Sequence, residues 1–302
     1  MTRPIAIVGA ASSIGIKPYD DGGARRLDRA PTVLREQRLV ARLGAHDAGD
    51  VMPPPYRDFV RPPGRPRNED DVAAYSRELA SRVAAAASDG AFVLVLGGDC
   101  SIVLGSLLGV RSVSSRVGLV YVDGHADFAT PEESATGSAA SMCLAFAVGR
   151  GDSPLARLRS DGPLARPEDV VLIGRRDEGE PYGHEALRAS AILDLPDAAM
   201  RELGFAGSAD AALERLTRGQ VDGFWIHLDA DVIDPALVPA VASPEPAGPD
   251  LDELAELLTP LAHHPRALGM EVTIYDPALD PGGESAVRLA ALLERVLVRV
   301  RE

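Results

Sequence analysis

Two hydrophobic patterns alternate along the chain. Short, nearly continuous apolar runs at Ile5 to Val8, Phe92 to Leu96, Val117 to Val122, Val170 to Ile173, Gly223 to Leu228 and Ala267 to Val272 predict strands covered on both faces. Between them, Pro31 to Leu43, Glu69 to Ser88, Ala139 to Val148, Asp210 to Arg218, Leu251 to Ala262 and Ser285 to Arg299 predict helices, the last with apolar residues at three and four spacing. Strands alternating with helices imply an α/β fold, a parallel sheet in a three-layer αβα sandwich. The proline-rich stretch Met52 to Asn68 lies within this alternation and is expected to be a loop rather than a linker. Residues 1–302 are therefore expected to form one domain, and no internal repeat divides them.

Composition narrows the choice of partners. The chain has 302 residues, 46% of them hydrophobic, enough for a large core. Its formal net charge of -14 argues against nucleic acid and against an anionic membrane, because phosphates would be repelled. The N-terminal apolar stretch is short, runs into a Gly-containing turn, and is expected to be the first strand rather than a signal peptide. Cys100 and Cys143 do not suggest a disulfide framework, and no apolar run reaches the roughly 20 residues that span a bilayer. The expected location is the cytoplasm.

Chemistry collects where the apolar runs end. Asp123-Gly124-His125-Ala126-Asp127 follows one run; Asp229-Ala230-Asp231, with Asp234 behind it, follows another. In an extended chain, residues two apart share a face, so each set can converge. Crowded carboxylates repel one another unless cations lie between them, which points to a metal site. Residues two apart are separated by about 6.6 Å, a span suited to flanking two ions about 3.5–4 Å apart. Mostly oxygen ligands with one imidazole suit Mn(II) or another borderline divalent ion better than a closed structural zinc site. Open α/β sheets place ligands at this end of their strands. Gly97 to Ser101, Gly174 to Glu178 and Met270 to Pro277 mark three further run ends there.

The blander alternatives are specific. A lone Asp-x-Asp usually makes a turn or caps a helix, but two sets at strand ends, one with a His, favour ligands. His227 precedes Asp229 by two, yet in an apolar strand it is expected to be a satisfied core histidine. His46, His184, His263 and His264 lie in polar stretches expected to be exposed, and Asp194 and Asp197 are expected in loops. Gly97-Gly98 lacks the Gly-Lys-Ser/Thr ending of a phosphate loop.

Gly97-Gly-Asp-Cys-Ser101, Val122-Asp-Gly-His-Ala-Asp127, His227-Leu-Asp-Ala-Asp-Val-Ile-Asp-Pro235 and Pro239-Ala-Val-Ala-Ser-Pro244 together resemble the ureohydrolase superfamily of arginases, agmatinases and formiminoglutamases, over most of the chain. The resemblance implies an arginase-like sandwich with about eight parallel strands and a binuclear Mn2+ centre whose hydroxide attacks a guanidinium carbon. It also implies a small guanidino-type substrate and a homo-oligomer, a trimer or hexamer. Matched residue by residue, Asp123 and Asp229 would bridge the ions, Asp127 would hold one ion and accept the proton in catalysis, and His125 and Asp231 would hold the other. Cys100 falls on the family's remaining histidine ligand.

Departures from the family are informative. A thiolate at Cys100 adds a negative charge, lowers the Lewis acidity and favours Fe, Co or Zn, or partial occupancy; the alternative is a buried Cys that binds nothing. The usual substrate-facing Asn is replaced by Ala129, the histidine proton shuttle by Ala140, and the guanidinium-binding glutamate by Ile274. Glu271 substitutes only if the register slips, whereas Glu180 resembles the acid that reads the substrate amino group. These losses favour a less cationic substrate, such as an N-hydroxyguanidine like hydroxyarginine. The alternative is a catalytically impaired relative with a structural or regulatory role.

Overall fold

The structure is a computed structural model that describes residues 3–177, 183–218 and 220–298. One eight-stranded parallel sheet runs through it, built from β1 (Ile5–Ala10), β2 (His46–Val51), β3 (Phe92–Leu96), β4 (Val117–Val122), β5 (Val170–Ile173), β6 (Leu193–Leu195), β7 (Gly223–Asp229) and β8 (Ala267–Thr273). The spatial order is β2-β1-β3-β8-β7-β4-β5-β6, and every pairing is parallel. Helices cover both faces, which gives the expected three-layer αβα sandwich.

All six strands expected from apolar runs are present, and β3, β4 and β5 have the expected limits. Their burial is complete, as strands with helices on both faces require. The two further strands, β2 and β6, are short sheet edges of sequence HDAGDV and LDL. Edge strands carry polar residues and few apolar ones, so no hydrophobic run announces them. Asp194 therefore sits in a strand rather than a loop, where it binds Arg175 at 2.7 Å, and Asp197 begins a helix, α7 (Asp197–Leu203).

The helices depart more. Helices α3 (Glu69–Ser88) and α9 (Leu251–Ala262) match the expected bounds, α8 (Phe205–Arg218) starts earlier, and α10 (Glu284–Leu297) shifts slightly. The single helix expected over Pro31 to Leu43 is broken into α1 (Ala30–Glu36) and α2 (Leu39–Leu43) by Arg38 at φ +60°. Leu34 and Leu39 are both fully buried. Five residues apart, they would lie about 140° apart around one helix, and the break lets both reach the core. The helix expected over Ala139 to Val148 is a 3-10 turn, Ala139–Met142, leading into α5 (Cys143–Ala147).

Helix α4 (Ile102–Val110), of sequence IVLGSLLGV, was not anticipated because it is apolar all round. A helix buried on nearly every side has no polar face to give it a period. It nests on α3 through Gly105 and Gly109: a Cβ there would meet Ser76 O at 2.9 Å and Ala80 O at 2.8 Å. Short α6 (His184–Ala189) completes the set.

Strands β3, β8, β7 and β4 are neighbours at the centre of the sheet, and their C-terminal ends open on one shared edge. Gly98, just after β3, packs so closely that a Cβ would lie 1.9 Å from Ser12 O. The paired glycines thus serve close backbone packing.

Candidate metal centre

The acidic runs do not continue their strands; they turn at the first carboxylate. Asp123 leaves β4, and its Oδ1 accepts the His125 N–H at 2.7 Å. Asp229 ends β7, and its Oδ1 accepts the Asp231 N–H at 2.8 Å, opening the 3-10 turn Ala230–Val232. Such self-bonded Asp turns replace the straight chain anticipated from spacing. The convergence survives, because each Asp spends one oxygen on its turn and keeps the other for the site.

Two groups of ligand atoms result, each within 4.8 Å: Cys100, Asp123, His227 and Asp229 form one, and Asp123, His125 and Asp231 the other. Asp123 belongs to both. Cys100 donates to Asp229 Oδ2 at 2.7 Å, and His125 Nδ1 lies 3.2 Å from Asp231 Oδ2. Asp127 lies beside the groups, at φ +46°, with Oδ2 accepting from the Tyr121 hydroxyl at 2.7 Å and the Cys143 thiol at 3.3 Å. Glu245 faces His125 Nε2 at 3.6 Å from the solvent side.

Two buried atoms show that these residues suit divalent ions. Among the described residues, Asp123 Oδ2 and His227 Nε2 have no hydrogen-bond partner, although buried acceptors are normally satisfied. Oxygen, nitrogen and sulfur donors together suit a borderline divalent metal. Electrostatics agree. Burial, reinforced by Asp231, pushes Asp123 up to about 6. Burial and the neighbouring carboxylates raise Asp127 and Asp229 well above the usual range. Burial also drives the Cys100 thiol up. For His125, burial acts downward but is outweighed by Asp231 and Asp123, which hold the ring's pKa up. Cations between the carboxylates would relieve this repulsion.

The centre floors a cavity of about 290 Å³. Ala140 and Ile274 line it, as do Glu245, Asp177, Lys17 and Arg25. Ile274 adopts φ +65°, a costly conformation for a β-branched residue, held by its N–H to Gly98 O at 2.9 Å. Ala129 is buried and outside the lining.

Several expectations change here. Glu271 does not reach the cavity: it is fully buried, its Oε1 2.7 Å from His227 Nδ1 and its Oε2 accepting from Ser106 at 2.6 Å. The β8 register sets it beside His227, so no slip brings it to substrate. His184 is buried rather than exposed, with Nε2 3.1 Å from Asp177 Oδ2, and Asp177 in turn accepts the Ala126 N–H. His227, expected to be a satisfied core residue, has one free nitrogen beside the ligands. Its spacing of two from Asp229 was the available signal. Tyr121 and Cys143 gave none, since each reads as core. Glu180 lies outside the described residues.

A parallel sheet with an Asp, His and Cys cluster at the C-terminal ends of its central strands defines a metal-centred α/β hydrolase architecture. The model of the Arginase family matches residues 3–298, and the chain belongs to that family, within the ureohydrolase superfamily of hydrolases acting on C–N bonds of linear amidines. It is 31% identical over 300 residues to the arginase of Bacillus caldovelox, covering 96% of this chain and 97% of that one. To the arginase of Bacillus subtilis it is 30% identical over 305 residues, covering 98% of each. The native structure of the Bacillus caldovelox arginase superposes with a TM-score of 0.88 at 30% identity, over 99% of both chains.

Proposed function

We propose that this chain hydrolyses a C–N bond of a guanidino or N-hydroxyguanidino amino acid, hydroxyarginine being the favoured case. The observation that carries the reading is a two-group ligand cluster opening on a cavity that Ile274 and Ala140 help to line. An apolar Ile cannot pair with a planar cation, and Ala140 cannot carry a proton. An N-hydroxyguanidine is less basic than a guanidine, so it loses less at such a lining.

Two divalent ions held there, Mn2+ or another borderline metal, would supply Lewis acidity and water acidified towards neutral pKa. The chain's own residues do the rest. Asp123, shared by the two groups, sets their spacing, with Cys100 and Asp229 on one side and His125 and Asp231 on the other. Asp127, which lines the cavity and is held by the Tyr121 hydroxyl, is the proton acceptor. Lys17 and Arg25 suit the carboxylate of an amino-acid substrate, and Glu245 and Asp177 suit its ammonium, a role the family resemblance also gives to Glu180. Water enters, the amine leaves as ornithine or its analogue, and the other product is urea or hydroxyurea. A cytoplasmic homo-oligomer belongs to the same reading.

Release of urea and hydroxyurea is measured from a panel of guanidino and N-hydroxyguanidino compounds with Mn, Fe or Co. Hydroxyurea from hydroxyarginine, exceeding urea from arginine, is the expected result. Complete inactivity with two ions bound per chain would overturn it in favour of a regulatory role.

A further inference from the structure

We propose that His227 is a metal ligand of this centre, oriented by Glu271, so that an imidazole on β7 replaces the one missing at Cys100. The proposal rests on the two-ion reading above. Tyr121, His227 and Glu271 stand in register on adjacent strands β4, β7 and β8. Asp123, Asp229 and Thr273 lie two residues beyond each, so the second row continues the face of the first. The first row therefore forms a layer beneath the ligands.

Within that layer the hydrogen bonds set the state of the ring. Glu271 accepts from Ser106 with one oxygen and binds His227 Nδ1 with the other. The tautomer that donates from Nδ1 to this carboxylate satisfies the bond and leaves Nε2 its lone pair. Among the described residues no donor reaches it. The Tyr121 hydroxyl is committed to Asp127 and stacks its ring on the imidazole at 4.1 Å, while Thr273 donates to Leu228 O. An ordinary core histidine would have both nitrogens satisfied. Here the free nitrogen belongs to a fully buried ring whose ligand atom lies within 4.8 Å of those of Cys100, Asp123 and Asp229. A carboxylate on the far nitrogen is also the arrangement that fixes metal-bound histidines and raises their basicity.

The role of Glu271 follows from its position. It touches neither substrate nor cavity, and it acts as a positioning residue for His227. Its burial as an acid in the middle of a sheet is otherwise hard to account for.

Metal-free protein is loaded with Co(II), and metal per chain, affinity and the visible spectrum are measured, with melting temperature before and after loading. Wild type is expected to hold two ions and to show a thiolate-to-cobalt band. His227→Phe, which keeps the stacking on Tyr121 but has no donor, is expected to hold one ion tightly and to lose that band's wild-type position and intensity. Glu271→Gln is a milder variant, and its affinity for the same ion is expected to fall about 10–100-fold. A purely structural role would lower both melting temperatures equally, whereas ligation shrinks the metal-induced rise. If His227→Phe or, where that variant does not fold, Glu271→Gln binds two ions with wild-type affinity and spectrum, this assignment is overturned alone. A wild type that binds no metal overturns the two-ion reading with it.

Discussion

The two halves of the centre share Asp123 but differ in depth. Cys100, His227 and Asp229 are each no more than 2% exposed, at the C-terminal ends of central strands, with Cys100 and Asp229 on the cavity floor and His227 beneath it. The half with His125 and Asp231 opens towards solvent, with the His125 side chain 21% exposed and Glu245, 34% exposed, beyond it. The thiol and the additional imidazole lie in the deep half, where β7 holds His227 in register with β8 and Cys100 sits in the turn between β3 and α4. The shallow half keeps the acid and imidazole expected of the family. Within the ligand set, departures from the family thus lie in the deep half, while those at Ala140 and Ile274 lie on the cavity lining.

Removing what the halves share should have the largest effect. Asp123→Asn is expected to weaken both ions by more than about 100-fold, beyond what loss of an outer partner costs, and to abolish hydrolysis. Elemental analysis should then find almost no metal per chain. Cys100→Ala should divide the halves: the deep ion is lost, the shallow one stays, and metal falls from two per chain to one. Cys100→His should restore two. Two ions in Cys100→Ala, or no change in metal content or activity for Cys100→His, would remove the thiol from the ligand set.

The proton competes with metal for the shared residue. Asp123 is raised from 3.8 to about 6, so in metal-free protein the folded state binds the proton more tightly than the unfolded chain. Its contribution to metal-free stability is greatest below about pH 4 and is lost as pH rises towards 6. Metal binding has the opposite slope: affinity should fall about tenfold per pH unit below 6 if one proton is displaced. The metal-induced rise in melting temperature should therefore be small at pH 5 and grow through pH 6. A rise that does not change over this range would mean that Asp123 is not displaced from its proton by metal.

The sequence was most legible where burial is two-sided. β3, β4 and β5 are buried at every position, and their apolar runs mark both ends. The edges β2 and β6 and the all-apolar α4 carry no period, and the break at Arg38 follows from tertiary packing of Leu34 and Leu39. The site divides along the same line. Asp123, His125, Asp229 and Asp231 stand out because acids at strand ends are anomalous. His227 and Glu271 lie inside strands, where one reads as a core residue and the other as a candidate for substrate. Only the register of β7 against β8 and the free Nε2 show that they belong together beneath the ligands.

The smallest effect should come from the rim. Glu245 Oε1 lies 3.6 Å from His125 Nε2 with a third of its side chain in solvent, where an ion pair contributes about 0–1 kcal/mol. Glu245→Gln is therefore expected to change affinity for the shallow ion by less than about fivefold, an effect that shrinks further in salt. The deep ion should not respond, because Asp123 and the strand ends separate it from the rim. Mn(II) titration of the variant at low and high ionic strength tests both statements. A loss larger than about tenfold that persists in salt would make Glu245 a ligand in its own right, and the shallow half would then be a built site rather than an open one.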